Sequence, residues 1–500
     1  MFRKVLIANR GEIAVRVIRA CRELGISPIA VYSDGDQTAL HVRLADEAYS
    51  IGPASATESY LNVANILAAA KTAGAEAIHP GYGFLSESEA FASACKESGL
   101  VFIGPPPDVM SAMGDKVAAR RLAAEVGVPT VPGAAEPLPD DPHVAADVAA
   151  DIGYPLLLKA AGGGGGKGMR AVSTPDELPA ALERARGEAT AAFSDSRVYA
   201  ERQVLQPRHV EVQILADTHG NVHHLGERDC SVQRRFQKLI EESPAPGLSE
   251  MTRQALWEAA VRLARAAGYV GAGTVEFLVE PDDSFYFLEV NARLQVEHPV
   301  TEAVLGVDLV HEQVRIAAGE HIAPQITIPP ATAAIEARIY AEDADRDFMP
   351  SVGTVDVLRE PAGPWIRVDS GCFLGQEVTV YYDSLLAKVV AWGPDREAAR
   401  VRLHRALGEY RLAGVATTVP FLRDVLADPE FAAARLSTSF LAEYQQRRRA
   451  QADSTDANGV AAVGAALHMV QERTQQEPAA EAATPRSRWQ AAARREALRP

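Results

Sequence analysis

Cysteine is scarce in this chain, and the four present, Cys21, Cys95, Cys230 and Cys372, stand far apart. Without a close pair there is neither a zinc-ligand spacing nor a disulfide framework, so three of them are expected to be buried thiols. Cys230 sits in the polar run Glu227-Arg228-Asp229-Cys230, close to the chemistry described below, yet no catalytic thiol is expected there. Positive charge is also in short supply: 50 Lys and Arg face 66 Asp and Glu, a formal net charge of -16. A nucleic-acid partner is thereby excluded, because a polyphosphate backbone needs a basic surface. No apolar run approaches the roughly eighteen residues of a membrane span, and Met1 leads at once into the strand-like Val5-Leu6-Ile7-Ala8, so no leader and no membrane contact are expected. The first strand is not followed by GxGxxG, which removes the usual dinucleotide reading. A cytoplasmic protein remains.

What is present is ordinary globular material: 47% hydrophobic residues in 500, enough for two or three domains with real cores. Val5 to Ala8 reads as a buried strand, Ile13, Val17, Cys21 and Leu24 as one helix face, and Ile29 to Tyr32 as the next strand. Further strands at Ala77-Ile78 and Val101 to Ile103, with a helix over Leu61 to Thr72, predict a small doubly wound parallel sheet ending near Pro105-Pro106-Pro107. A helix over Lys116 to Val126, a Pro-rich stretch from 129 to 142 and a hairpin from Tyr154 to Val172 follow. From about Ala331 to Ala442 strands such as Ile335 to Tyr340 and Val378 to Val390 come first and helices after. The Ala-, Gln-, Glu- and Arg-rich tail carries one apolar-periodic stretch, Val460 to Val470.

Two constellations carry chemistry. In the hairpin, Leu156 to Lys159 runs into Gly162 to Gly166, Lys167 and Gly168, and leaves through Arg170-Ala171-Val172. Glycines let backbone N-H groups curl around phosphate oxygens, and a neighbouring lysine adds charge. The exit as a strand and Gly168 after Lys167 separate this clamp from a Walker A loop. In the second, Gly273 to Phe277 and Phe285 to Pro299 read as a β-hairpin with an extended exit. Alternation then puts Glu289, Asn291, Arg293, Gln295 and Glu297 on one side and Val290, Ala292, Leu294 and Val296 on the other. With Glu276 on the partner strand, two carboxylates and an amide oxygen make a hard-oxygen set suited to Mg2+. Between these lie Arg208 to Gln213 and Glu227 to Lys238, dense in donors and suggestive of an anionic substrate. Here His209 fits a satisfied structural histidine as well as a ligand contact, and Arg234-Arg235 fits a solvated turn.

HPGYGFLSE (His79 to Glu87), MGDK (Met113 to Lys116), KAAGGGGGKGMR (Lys159 to Arg170), RHVEVQ (Arg208 to Gln213), ERDCSVQRR (Glu227 to Arg235) and EVNARLQVEHPVTE (Glu289 to Glu302) occur in this order. Over residues 1 to 445 the chain resembles biotin carboxylase, an ATP-grasp enzyme. The resemblance implies an N-terminal Rossmann-like domain over 1-114, an ATP-grasp domain over 115-330 with a mobile lid over about 131-203, a C-terminal mixed α+β domain over 331-445, and a tail over 446-500. It further implies that Lys116, Lys159, the Gly165 and Gly166 amides and His209 hold ATP phosphates or ribose, and that Glu201, Arg202, Gln203 and Val204 line the adenine slot. Glu276, Glu289 and Asn291 become Mg2+ or Mn2+ ligands next to ATP. Lys238, Arg293, Gln295 and the Val296 backbone hold bicarbonate, Glu297 is the base, Arg338 meets the biotin ureido oxygen, and Tyr82 shapes the biotin site. The expected activity is carboxylation of biotin through carboxyphosphate, the first half-reaction of a system such as acetyl-CoA carboxylase in fatty acid biosynthesis, with propionyl-CoA and pyruvate equally open as acceptors. Another ATP-grasp carboxylating ligase and a non-catalytic carboxylase subunit are the alternatives; RLQVEHP with Arg338 speaks against the first, and an intact base and metal set against the second. Arg202 and Phe236 depart from the bacterial pattern, which has Lys and His there. No lysine follows Lys388, so the biotin is expected on a separate carrier protein, with carboxyltransferase subunits as further partners and a homodimer as the assembly.

Overall fold

The structure, a computed structural model, describes residues 1–134, 136–161, 169–193, 195–324 and 332–454. The early apolar runs form β1 (Lys4–Ile7), β2 (Ser27–Tyr32), β3 (Glu47–Ser50), β4 (Ala77–His79) and β5 (Val101–Phe102), interleaved with α1 (Gly11–Glu23) and α2 (Val63–Ala73). Their order is β3-β2-β1-β4-β5 and each pairing is parallel. The chain reverses direction of growth at β1/β4, which is the doubly wound sheet expected. α2 begins two residues later than its apolar spacing suggests because Asn62 caps it, accepting from the Asn65 amide at 3.1 Å; Gly74 closes it at φ 66°.

After α3 (Lys116–Glu125), the hairpin strands β6 (Leu156–Ala160) and β7 (Arg170–Val172) pair antiparallel with Leu156 opposite Val172, and β8 (Val198–Arg202) joins β6 on its other edge. Gly162 to Gly168 lie outside the described residues. The strands β9 (Arg208–Ala216), β10 (Val222–Arg234), β11 (Gln237–Ser243), β12 (Gly271–Val279), β13 (Phe285–Asn291), β14 (Ala333–Tyr340), β15 (Ile366–Ser370) and β16 (Leu385–Gly393) build one antiparallel sheet in the order β13-β12-β9-β10-β11-β14-β16-β15. The expected strand from Val378 to Val390 is broken: only Glu377–Val378 and β16 are extended. Tyr382 lies in the gap, with Arg10 stacked 4.1 Å over its ring, and Asp383 caps the restart through the Leu385 amide at 2.8 Å.

One face of this sheet is apolar and covered. Val210, Val212 and Ile214 of β9 are wholly buried with Val275 and Phe277 against Leu256, Ala259, Ala260 and Leu263 of α4 (Glu250–Ala266). Each of the Val, Ile, Leu and Phe side chains contributes roughly 1.5–3 kcal/mol by leaving water. A one-residue slip of β9 would exchange these residues for His209, Glu211 and Gln213, so burial on one face fixes the polar row on the other. Met1–Leu441 is one compact unit; of the second, Ala442–Pro500, the described part is helical to Ser454, and Val460 to Val470 lies outside the described residues. Among the described residues no helix is long and apolar enough to cross a membrane.

Candidate active site

The polar face of the sheet opens on a cavity of about 480 Å3 lined by residues of β6, β8 to β14 and the turn after β13. Register supplies its floor. Arg228, Glu211, Glu276 and Glu289 stand directly opposite one another across β10, β9, β12 and β13. One cation and three carboxylates in a row repel in the interior unless further cations reach them. Arg228 Nε meets Glu211 at 2.6 Å, Lys116 Nζ meets Glu289 at 2.7 Å, and Lys238 Nζ enters from β11 to lie 2.7 Å from Glu211, 3.1 Å from Glu276 and 2.6 Å from Glu297. Burial alone would discharge Lys238, but the charges around it hold its pKa well above the ordinary lysine value.

Glu297 is wholly buried, and its second oxygen is 2.9 Å from Arg338 Nη2. Burial pushes its carboxyl up, yet Lys238, Arg338 and Arg228 outweigh it and keep the pKa well below the usual carboxylate range. Arg338 is held from behind, its Nε 2.5 Å from Glu241. Glu276 is likewise lowered despite burial, by Lys238 and by His209, whose Nε2 is 2.9 Å away; Glu276 in turn lifts the buried His209 above its ordinary value. Thus His209 is tied into the charged cluster, and Gln233 reaches its other nitrogen at 3.3 Å. Cys230 Sγ lies 3.6 Å from Glu297, but burial and the carboxylates drive its pKa well above the ordinary thiol value, so it stays a neutral thiol.

The exit from β13 does not stay extended: the strand stops at Asn291, the chain turns at Val296-Glu297, and α5 (His298–Leu305) starts with Pro299 in its first turn. The polar row converges nonetheless, since Arg293 donates to Asn291 Oδ1 at 3.0 Å and to Gln295 Oε1 at 2.6 Å, while Gln295 donates to Glu276 at 3.0 Å. Glu87, the last residue of HPGYGFLSE, accepts from Arg293 Nε at 2.9 Å and fixes its reach. On the other side of the chain Val290, Ala292 and Leu294 are buried in the cores as alternation requires, whereas Val296, at the turn, departs from the expected pattern and lines the cavity.

Lys116, Lys159, Glu201, Gln203, Val204, His209, Lys238, Glu276, Glu289, Asn291, Arg293, Gln295, Val296, Glu297 and Arg338 all line the cavity. Lys159 is buried beside Glu201, with which it is paired; Arg120 holds the other Glu201 oxygen at 2.8 Å. Arg202 is not part of the lining: one residue on from Glu201 along β8, its guanidinium pairs with Glu280 and the Tyr286 hydroxyl, each at 3.1 Å. Tyr82 also lies off the lining, its ring 5.7 Å from Lys388 Nζ. Gly165 and Gly166 are outside the described residues. Phe236 stands on the rim, 54% exposed, in a turn where Arg235 and Phe236 both have left-handed φ, 48° and 67°. Arg234 and Arg235 clasp that strained turn to Asp347 at 2.6 and 3.1 Å, so the pair is more than a solvated turn.

Sequence reasoning misses Glu211, although it lies two residues from His209 and period 2 puts both on one face. As for a metal, Glu276, Glu289 and Asn291 share that face, and two carboxylates with an amide oxygen fit a hard dication. Lys238 and Lys116 sit on the two carboxylates here.

Two further buried carboxyls affect stability. Burial pushes Glu12 and Glu241 from 4.5 up to about 7, against the opposing pull of Lys388 and Arg338 respectively. A carboxyl raised on folding contributes fully below its unfolded pKa and loses that contribution as pH rises through the folded value. Asp369 behaves oppositely: burial would raise it, but Arg367 brings it down from 3.8 to about 2, so its contribution is lost as pH falls towards that value. Glu12 and Glu241 are therefore expected to lower the thermal midpoint as pH rises from about 4.5 to about 7. Glu241→Gln should flatten that fall between pH ~4.5 and ~7 in a melting series; an unchanged slope would remove Glu241 from the account.

Comparison with known proteins adds three family matches: residues 1–110 to "Biotin carboxylase, N-terminal domain", 115–325 to "Carbamoyl-phosphate synthase L chain, ATP binding domain" and 336–443 to "Biotin carboxylase C-terminal domain". The biotin carboxylase of Nostoc sp. is 51% identical over 446 residues, covering 89% of this chain and 100% of that one. The propionyl-CoA carboxylase alpha chain of Ruegeria pomeroyi is 46% identical over 495 residues, covering 94% and 72%. Among solved structures, the biotin carboxylase domain dimer of Hydrogenobacter thermophilus 2-oxoglutarate carboxylase, in complex with MgADP, ADP and bicarbonate, superposes with a TM-score of 0.86 at 47% identity, covering 89% of this chain and 98% of that one.

Proposed function

This chain belongs to the biotin carboxylase family of ATP-dependent ligases, and from that premise we propose that it carboxylates biotin on a separate carrier protein, using ATP and bicarbonate. One observation carries the reading: the buried Glu297 carboxylate lies between Lys238, 2.6 Å away, and Arg338, 2.9 Å away. A base set between two cations suits a reaction in which one anion must be deprotonated and a second must be stabilised a few ångströms on.

In this reading Lys238, Arg293, Gln295 and the Val296 backbone hold bicarbonate. Glu297 takes its proton while a bicarbonate oxygen attacks the γ-phosphorus of ATP, releasing ADP and forming carboxyphosphate. That mixed anhydride breaks to carbon dioxide and phosphate. The biotin ureido nitrogen gives up its proton, to the phosphate, and attacks carbon dioxide, while Arg338 faces the charge developing on the ureido oxygen. Lys116, Lys159 and His209 hold the nucleotide, with Glu201, Gln203 and Val204 at its base and the 131-203 segment as lid. A Mg2+ or Mn2+ ion bound by Glu276, Glu289 and Asn291 would neutralise phosphate charge. The direct partners are then the carrier and carboxyltransferase subunits, with a second copy of the chain as the homodimer mate. The carboxyltransferase selects the final acceptor, so acetyl-CoA, propionyl-CoA and pyruvate stand equal.

The test is ADP release from the purified chain with Mg-ATP and bicarbonate, with and without free biotin. Bicarbonate-dependent release that biotin stimulates is the expected result. Release indifferent to biotin would point to another ATP-grasp ligase.

A further inference from the structure

A wholly buried ammonium lies behind the base, outside the cavity lining. Lys388, 0% exposed on β16, stands directly opposite Arg338 of β14 in the antiparallel register. Residues paired in this way share a sheet face, so two cations stand side by side in the interior and each needs its own counter-charge. Glu241 and Glu297 meet Arg338. Glu12 meets Lys388, its Oε1 3.2 Å from Nζ, and Lys388 donates a 2.7 Å hydrogen bond to the Val296 carbonyl.

These three partners come from distant stretches of chain: the first turn of α1, the turn after β13, and β16. Gly371 is what lets them meet. A Cβ there would stand 2.8 Å from the Glu12 backbone nitrogen, closer than real Cβ contacts, so the bare backbone at the end of β15 is required for α1 to seat. The Val296 carbonyl lies in the same rigid peptide plane as the Glu297 amide. A bond to that oxygen therefore fixes the backbone from which the base projects.

We propose that Lys388 is a positioning residue for carboxyphosphate formation: anchored by Glu12, it locks the Val296–Glu297 peptide and so sets the spacing between the base and bound bicarbonate. The assignment rests on the reading of Glu297 as base given above.

Lys388→Met keeps the length of the side chain and removes its charge and hydrogen bond. In steady-state ADP release with biotin present, its KM for bicarbonate should rise about tenfold and kcat fall about tenfold, with KM for ATP within about twofold, because small misplacements of reacting groups are costly and the nucleotide contacts lie elsewhere. Glu12→Gln should shift the same constants in the same direction by less, and Lys388→Arg, which can still donate to the carbonyl, should restore part of the loss. A merely structural role would lower the yield of folded enzyme and leave both KM values alone. Should Lys388→Met not fold, Glu12→Gln decides. A bicarbonate KM within twofold of wild type, or equal rises in the bicarbonate and ATP constants, would overturn the assignment while leaving the activity reading standing. A wild-type chain without bicarbonate-dependent ADP release would overturn both.

Discussion

Glu297→Gln is expected to lower bicarbonate-dependent ADP release by about 10^2- to 10^4-fold, the range associated with loss of a positioned general base. The substitution is isosteric, but its single amide oxygen can serve only one of Lys238 and Arg338 while its NH2 faces the other, so a lower thermal midpoint is expected beside the lost base, with the ATP-side pairs of Lys116 and Lys159 untouched. The loss should appear in kcat, with KM for ATP little changed. The depressed pKa of Glu297 looks at first unfavourable for a base. Its cause resolves the conflict, for in the proposed reading the same Lys238 that depresses it is the cation that receives bicarbonate. An anion arriving at Lys238 and Arg293 takes over part of that cation's field, Glu297 is held less strongly, and its affinity for a proton rises when there is a proton to take. In the free enzyme, by contrast, Glu297 should stay ionised, so the wild-type kcat/KM profile for bicarbonate should show no acid limb from this group above pH ~5. Undiminished bicarbonate-dependent turnover in the Glu297→Gln variant would end this assignment.

Lys238→Met should cost both stability and activity. It leaves Glu211, Glu276 and Glu297 without the ammonium they share, and stranding partners of a buried charge cluster costs roughly 3–5 kcal/mol. The stranded carboxyls should then titrate above their unfolded values. Stability from a group raised on folding is present below the unfolded pKa and lost as pH rises, so the deficit in thermal midpoint should widen from pH ~5 to pH ~8. Turnover should fall together with bicarbonate affinity, and an acid limb should emerge as Glu297 loses its nearest cation. Equal midpoints for variant and wild type across that range would mean that Lys238 contributes no net stability to the cluster.

The parallel N-terminal sheet, the glycine hairpin strands and the β12–β13 pair were legible in the sequence because each rests on local periodicity. Most of the candidate site was legible too, through motif residues and alternation. Three things were not. Arg202 falls in the Glu201 to Val204 stretch that the resemblance assigns to the adenine slot, but it is one residue out of phase with Glu201, and its partners Glu280 and Tyr286 are far along the chain. The turn at Val296-Glu297 breaks an alternation that looked continuous, since a polar row is compatible with strand or turn until something holds the backbone. Glu241, Glu12 and Lys388 resemble any charged residues in apolar strands and helices; only burial makes them exceptional.

Residue order was enough to establish the local elements, the chemical kinds gathered at the site and the family to which the chain belongs, because apolar period and motif order are properties of neighbours along the chain. Which charges pair was settled by packing in three dimensions. Arg228, Glu211, Glu276 and Glu289 become one row only through strand register, and Lys388 reaches Glu12 and Val296 only because the backbone at Gly371 lets α1 approach. Whether a buried carboxyl is held low, as Glu297 is, or pushed up, as Glu241 is, follows from the cations that packing brings within a few ångströms, and that distance is not written in the order of residues.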